Sequence, residues 1–385
     1  MGLLACAYLT ACGTLSKSQL DASDAEKQRY ARRGDLQAEV DSLAQPLVTQ
    51  GITPGLVVGV LLPDGRKKFY GYGIADKETG AKPDGDTVFA IGSLSKGFLG
   101  GLAALLVNEG ALSWNDPLIK LLPDEKLSES AAQKITPRQL ATHTSGLPRQ
   151  PFPPKTLLYF IAYLFNGNNF YRQFERSYIL DYLRDFEPPA TPEVIYSNIG
   201  YGILGYVLER RSGQSAAALV TQKIIRPLSL TSTGYAFEHL PQGSVRAQGY
   251  AGDQPKFIRR GEPVPDWQFN DFLQSSAGMH SSAKDLLTFA SAHFKGNNDR
   301  LRTALRSTLK PIWPRPARAP AIGWVVDEFP RQKITYQVGF VAGYSSYLGL
   351  DVERRIAVAV LQNSFNFNDA VGHRLLNRMA GKKDS

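Results

Sequence analysis

Strand-forming sequence stands at both ends of the chain, and helix-forming sequence fills the middle. No other feature restricts the fold as much. Residues 55–62 read GLVVGVLL, a β-rich run without a charge. Pro63, Asp64 and Gly65 then give a turn, and 67–72 returns as a second strand. Near the other end, 322–328 and 332–339 flank Pro330, and 345–350 and 356–361 flank the polar turn 351–354. These predict two further hairpins, and 368–379 reads as a closing helix. Between the ends, apolar spacing predicts helices over 96–108, 137–142, 157–165, 178–186, 201–211 and 283–294. Two distant groups of strands satisfy their backbones most simply in one shared sheet. The expected fold is therefore α/β (α+β). An antiparallel sheet flanked by helices is built from both chain ends, and an all-helical lobe is inserted into it. The sheet lobe is expected at about 36–95 and 318–385, and the helical lobe at about 96–317.

At 385 residues, the chain suits one large enzyme domain or two lobes sharing a core. A hydrophobic share of 43% and a charged share of 21% exclude disorder, collagen and coiled coil as readings of the whole chain. No apolar run approaches the roughly 20 residues of a spanning helix. The net charge of +9 suits an anionic neighbourhood, but no Lys/Arg block is dense enough for nucleic acid. Both cysteines, Cys6 and Cys12, lie in the first twelve residues, and the histidines are scattered. The body thus has no disulfide and no expected metal centre.

The N-terminal 12 residues read as a lipoprotein signal. A short apolar stretch ends in Leu9, Thr10, Ala11 and Cys12, small residues before a cysteine that takes the lipid. It departs from the pattern in having no Lys or Arg ahead of the apolar stretch. Residues 13–35 are polar and read as a tether. The expected location is the bacterial cell envelope, on the periplasmic side or outer surface, with a lipid on Cys12 holding the protein to the membrane.

Three elements carry chemistry. Ser93 and Lys96 are three residues apart at the start of a helical run, on one face. A serine hydroxyl is a weak nucleophile and needs a base. A lysine serves once burial and the helix end disfavour its charged form. Alone, S-x-x-K is a weak signal, since an N-cap serine and a surface lysine give the same string. Tyr196 and Asn198 form Y-x-N at a loop–helix junction, where a phenol can relay a proton and an amide can hold a lysine and a substrate carbonyl. A core tyrosine beside a capping asparagine is the bland alternative. Gln337, Val338, Gly339 and Phe340 end a predicted strand, whose edge can pair with an extended substrate and give one N–H to an oxyanion.

In this order the motifs resemble those of the serine β-lactamase and penicillin-binding-protein superfamily, in its class C β-lactamase-like branch, which includes D-alanyl-D-alanine peptidases and esterases. The stretches 110–117 (GALSWNDP), 140–148 (LATHTSGLP), 197–205 (SNIGYGILG) and 277–286 (AGMHSSAKDL) agree, so the likeness runs over about 55–362. The resemblance implies acyl transfer through a Ser93 ester, with Lys96 and Tyr196 sharing general-base work and Asn198 orienting Lys96 and the substrate. It implies an oxyanion hole from the backbone N–H groups of Ser93 and Phe340, and no metal or organic cofactor. Substrates would be small-molecule esters or amides, or peptidoglycan peptides. One position departs from the family. Where its third motif opens with a cation, this chain has Gln337, which donates a hydrogen bond without charge. Loss of a charge-assisted contact costs on the order of 1–3 kcal/mol. That disfavours β-lactams relative to esters.

The expected function is a serine acyl hydrolase, an esterase or a D-Ala-D-Ala-type peptidase. The competing readings are a β-lactamase proper and a non-catalytic relative that binds peptidoglycan or a partner protein. His143 reads as structural, because no G-x-S-x-G elbow accompanies it. His280 and Lys284 read as capping or surface residues. The ten aromatic residues from Tyr159 to Phe186 read as core of the helical lobe, with an apolar wall or membrane-touching lid as the alternative.

Overall fold

The computed structural model describes residues 35–127, 130–190, 193–237, 240, 244–294, 299–312, 319–329, 332–367 and 370–380. Its main sheet joins the chain ends as expected. The strands β1 (Gly55–Leu61), β2 (Lys67–Gly73), β5 (Ala319–Pro320), β6 (Val325–Phe329), β7 (Gln332–Val341), β8 (Tyr344–Asp351) and β9 (Ile356–Gln362) lie in the order β2-β1-β9-β8-β7-β6-β5. Every pairing is antiparallel, and β1 meets β9 with Leu56 opposite Gln362 and Leu61 opposite Ala357. A second, two-stranded sheet pairs β3 (Val88–Ala90) with β4 (His280–Ser282). Three residues per strand are too few for a legible alternation, so this pair had no sequence signal.

The unbroken apolar run of β1 follows from covering both sheet faces. Along a strand, alternate side chains face opposite ways. Leu56, Val58 and Val60 join Tyr336, Val338, Tyr347, Val358 and Val360 in an outer core. Val57 and Leu61 face the other way, with Ala357, Ala359 and Leu361, into the core shared with the helical lobe. The outer face is covered by helices α1 (Leu36–Thr49) and α10 (Val371–Ala380). In α1, buried Leu36, Val40, Leu43, Ala44 and Leu47 recur at helical spacing, and Asp35 caps the first turn by accepting from the Gln37 N–H at 3.0 Å. A buried ion pair, Arg378 Nη1 to Glu39 Oε2 at 2.7 Å, ties the terminal helices together. Removing one partner would strand a buried charge, at a cost of about 3–5 kcal/mol.

The helical lobe contains α2 (Ser95–Asn108), α3 (Pro137–Ala141), α4 (Pro154–Asn166), α5 (Arg176–Arg184), α6 (Asn198–Ser212), α7 (Asp271–Ala277) and α9 (Arg300–Thr308). Helix α8 (Ala283–Ser291) falls within the expected lobe in sequence but packs on the sheet: Leu287 and Ala283 crowd Gly59 of β1, and Lys67 Nζ donates to Thr288 Oγ1 at 2.6 Å. Helix α2 is buried almost all round, from Ser95 to Leu106, and passes through the middle of the molecule. The start of α2 therefore lies at the junction of sheet and helices. No helix among the described residues is long and apolar enough to cross a membrane. The signal, the tether up to Gly34, and Cys12 lie outside the described residues.

Candidate active site

Ser93 sits on a 3-10 turn, Gly92–Leu94, that leads into α2. The α-helix begins at Ser95, one residue before the expected 96, and Ser93 stands on the turn just ahead of it. Gly92 holds φ 50°, a left-handed value natural to glycine. The turn is fixed from three sides. Ser95 Oγ donates to Gly92 O at 2.6 Å, the Met279 N–H donates to Ser95 Oγ at 3.3 Å, and Ser346 Oγ donates to Ile91 O at 2.8 Å. Ser95 is fully buried and committed to this scaffold, whereas Ser93 is half-buried and opens to the cleft.

Lys96 lies one turn on, with no solvent exposure. Its Nζ is 3.0 Å from Ser93 Oγ and 3.2 Å from the Ser276 carbonyl at the end of α7. Burial, and secondarily the positive charge of Arg149, hold its pKa well below the ordinary lysine value. A neutral amine at this distance has a lone pair to take the Ser93 proton. The helix end was expected to help lower the lysine; the second cause found is Arg149.

Residues 141–149 form a cradle for the Tyr196 segment. The Ile195 N–H donates to His143 O at 2.9 Å, and the Ser197 N–H donates to His143 Nδ1 at 3.0 Å. Ser197 Oγ donates to Pro148 O at 2.8 Å and caps α6 by accepting from the Gly200 N–H. The N–H groups of Asn198 and Ile199 converge on Arg149 O at 3.0 and 3.3 Å. Tyr196, held between these bonds, stacks on His143 with ring centroids 4.4 Å apart. Lys96 Nζ approaches the Tyr196 ring to 5.2 Å, and the Arg149 guanidinium approaches it to 5.0 Å. Desolvation, then Lys96 and Arg149, push the His143 pKa down to about 3, so its ring is neutral and its Nδ1 serves as an acceptor. His143 is a positioning residue beside Tyr196.

Asn198 reaches the cleft by another route than expected. Its Nδ2 donates to Tyr171 Oη at 3.1 Å, and Lys96 instead donates to the Ser276 carbonyl. The Asn198 Oδ1 is buried and accepts no hydrogen bond in the structure. That oxygen is the open acceptor of the site.

The opposite wall is the edge of β7. A two-residue turn closes β7 onto β8, pairing Val341 with Tyr344 and Gly339 with Ser346. In that register the N–H groups of Val338 and Phe340 point away from β8. Strand β6 has already ended, its last pair being Val325 with Tyr336, so both N–H groups lie on an open edge. Gly339 lets this edge touch the nucleophile turn: a Cβ there would fall 2.1 Å from Ile91 O and 3.0 Å from Ser93 N. A Cβ on Gly92 would fall 3.1 Å from Phe340 N. The Ser93 and Phe340 amides therefore belong to two backbones in direct contact. The Phe340 ring turns to the outer face, stacking on Phe365 at 5.2 Å.

Gln337 requires a correction. It faces the same side as Gly339, but it is 2% exposed, and both ends of its amide are used within the protein. Nε2 donates to Gly323 O at 3.1 Å, and Oε1 accepts from the Val338 N–H at 3.0 Å. Instead of offering a donor to substrate, Gln337 caps the open strand edge. A guanidinium does stand near the site on the helical wall, that of Arg149 beside the Tyr196 ring. Sequence reading stopped the agreeing stretch at Pro148, one residue short, and Arg149 had no signal beyond that adjacency. Tyr171 and Ser276 were likewise missed, because each acts across a long sequence separation. Lys284 lies at the surface as expected and pairs with Asp86 at 2.9 Å, whereas His280 is neither a cap nor a surface residue: it is half-buried in β4, opposite Ala90. Among the described residues, no group of His, Cys, Asp and Glu could hold a metal ion.

Comparison with known proteins gives the family and the fold. The family model described as Beta-lactamase matches residues 40–381. The chain belongs to that family, and family and fold together mark it as a serine hydrolase. The structure of a class C beta lactamase from Rhodobacter sphaeroides superposes with a TM-score of 0.74 at 25% identity, covering 89% of this chain and 99% of that one. The D-alanine Carboxypeptidase AmpC from Burkholderia cenocepacia gives a TM-score of 0.72 at 24% identity, over 89% of this chain and 99% of that one, a likeness of fold. In sequence, the chain is 24% identical to a Beta-lactamase of Yersinia enterocolitica, over 76% of this chain and 69% of that protein. It is 26% identical to Protein flp of Staphylococcus aureus (strain MRSA252), over 86% of this chain and 63% of that protein. The chain thus spans somewhat under two thirds of flp.

Proposed function

We propose that the protein is a serine acyl hydrolase that acts through a Ser93 acyl-enzyme on carboxylic esters or D-Ala-D-Ala-type peptides. The observation that carries this is a fully buried, deprotonation-prone Lys96 with its Nζ 3.0 Å from the Ser93 hydroxyl. Neutral Lys96 takes the Ser93 proton as Oγ bonds to the substrate carbonyl carbon. The carbonyl oxygen takes up the displaced electron pair and is met by the Ser93 and Phe340 N–H groups. As the intermediate collapses, the C–O or C–N bond to the leaving group breaks, and Tyr196 hands it a proton supplied from Lys96. Water, deprotonated by the same pair, then hydrolyses the Ser93 ester. The open Oδ1 of Asn198 accepts from a substrate amide N–H. A neutral, committed Gln337 favours esters over β-lactams. The protein is further proposed to act at the bacterial envelope, held by a lipid on Cys12.

A substrate panel tests the reaction: short p-nitrophenyl esters, a chromogenic cephalosporin and a D-Ala-D-Ala peptide. Turnover of esters or the peptide, lost in Ser93→Ala, is expected. A wild type that turns over cephalosporin as fast as the esters contradicts the preference. A wild type inert to all three and unlabelled by a fluorophosphonate contradicts the enzyme reading. Mass spectrometry of the native N-terminus tests the anchor; an unmodified Cys12 contradicts it.

A further inference from the structure

Six large apolar side chains are exposed on one side of the helical lobe. Helix α4 presents Leu157 (41%), Leu158 (67%), Ile161 (43%) and Phe165 (61%) to solvent, with Phe152 (41%) just before it. Phe257 (61%), from a distant loop, stacks on Phe165 with centroids 4.5 Å apart and extends the stripe. The helix sequence, PKTLLYFIAYLFN, has no acidic residue. Its inner face explains why it is helical at all. Phe160 and Tyr163 pack on Phe170, and Tyr163 and Phe170 pack on Trp267, so the helix is anchored by one aromatic face and left bare on the other. Of the ten aromatics in this stretch, most are core as expected, whereas Phe165 belongs to the bare face.

The charges around the stripe are basic on balance: Lys155 and Arg172 outnumber Glu175 at one end, and Lys256 adds to two neutralised pairs at the other. Exposed Lys155 opens α4 and lies 6.0 Å from the Tyr159 ring, and exposed Arg172 lies 5.2 Å from the same ring. The two cations share a cleft of about 510 Å³ with Tyr159, Gln173, Glu175 and Tyr178. Exposed Lys256 adjoins Phe257 at the other end, beside Arg259 and Arg260, which pair with Glu262 and Asp253. A bare apolar stripe with lysine and arginine at both ends, on a chain of net charge +9, matches an anionic lipid surface. On such a surface the apolar side chains would enter the acyl boundary and the cations would meet phosphate headgroups. A second copy of this chain would bring like charges together around the stripe.

We infer that α4 and Phe257 form a membrane-contact face that lies on anionic bilayers independently of any lipid at Cys12. This face adjoins the cleft: Phe160 packs on Phe170, Phe170 on Tyr171, and Tyr171 Oη accepts from Asn198. The inference stands apart from the acyl-transfer chemistry, because it is read by binding.

The test is co-sedimentation of the full chain carrying Cys12→Ser with vesicles of phosphatidylcholine, alone or mixed with phosphatidylglycerol. Binding to the mixed vesicles is expected, weaker at high salt and weaker on phosphatidylcholine alone. Leu158→Ser with Phe165→Ser should weaken it at least tenfold, and Lys155→Ser should weaken it on the anionic vesicles. Val245→Ser, which removes another exposed apolar residue (44%), should not. Equal binding by the double variant, or no binding by the parent, overturns the inference. A dimer in sedimentation velocity that the double variant dissolves would overturn it in favour of a second copy. Fluorophosphonate labelling of the same samples reports on Ser93 separately, so failure of one proposal is distinguishable from failure of the other.

Discussion

The two walls of the cleft are built on different principles. The strand wall is almost all backbone: the open edge of β7, the amides of Ser93 and Phe340, and Gly339, which admits no side chain. The Gln337 side chain on it is turned inward to cap Val338. The helical wall is almost all side chain: Lys96, Tyr196, His143, Arg149, Asn198 and Tyr171 meet there within a mesh of hydrogen bonds and ring contacts. A backbone wall can receive a developing oxyanion from any acyl substrate. A side-chain wall sets proton transfer and charge. The guanidinium beside Tyr196, that of Arg149, thus stands on the side-chain wall and not at the third-motif position.

The sharpest test of that division is to remove the base. Lys96→Met keeps an apolar stem in a buried slot and should lower kcat/KM by about 10³-fold, within the span of general acid–base groups. Steady-state ester hydrolysis measures it, and near-normal turnover would move the base elsewhere. Tyr196→Phe should slow turnover by at least about 10²-fold while the ring still packs on His143. Thermal melting separates the cases; a large fall in Tm with little loss of rate would make Tyr196 structural.

Arg149→Gln addresses charge. Arg149 disfavours the protonated form of Lys96, so removing it makes the ammonium easier to hold and raises the Lys96 pKa. The acidic limb of the kcat/KM profile should therefore move to higher pH. A shift in the other direction, or none, would detach Arg149 from the site's electrostatics. Gln337→Lys is expected to have the smallest catalytic effect and to reduce stability. Lysine cannot accept from the Val338 N–H, and its charge would enter a 2%-exposed position. Its Tm should fall by several degrees, on the basis of about 1–3 kcal/mol for an unsatisfied buried group. A gain in cephalosporin turnover with unchanged Tm would restore Gln337 to the substrate side.

The sheet was legible in the sequence because its strands are long, covered on both faces and punctuated by turns such as 63–65 and 351–354. Ser93 and Lys96 were legible because a three-residue spacing fixes their relation, whereas Tyr196, 100 positions after Lys96, was reached only through the order of the motifs. What escaped is non-local. Helix α9 carries a thin apolar stripe of Leu301, Ala304 and Leu305 among arginines, and β3 and β4 are three residues each. That Asn198 pairs with Tyr171, Lys96 with the Ser276 carbonyl, and Gln337 with Gly323 depends on packing across 27, 180 and 14 positions. Residue type predicted that each would hydrogen-bond; only the fold determines with what.

The central claim is that Ser93, activated by Lys96, forms a covalent acyl-enzyme. Intact-protein mass spectrometry after reaction with a fluorophosphonate, with peptide mapping of the adduct, tests it most directly. One adduct per chain is expected, mapped to Ser93, absent in Ser93→Ala and strongly slowed in Lys96→Met. An adduct on Ser95 or on any other residue, or labelling undiminished in Ser93→Ala, would contradict it.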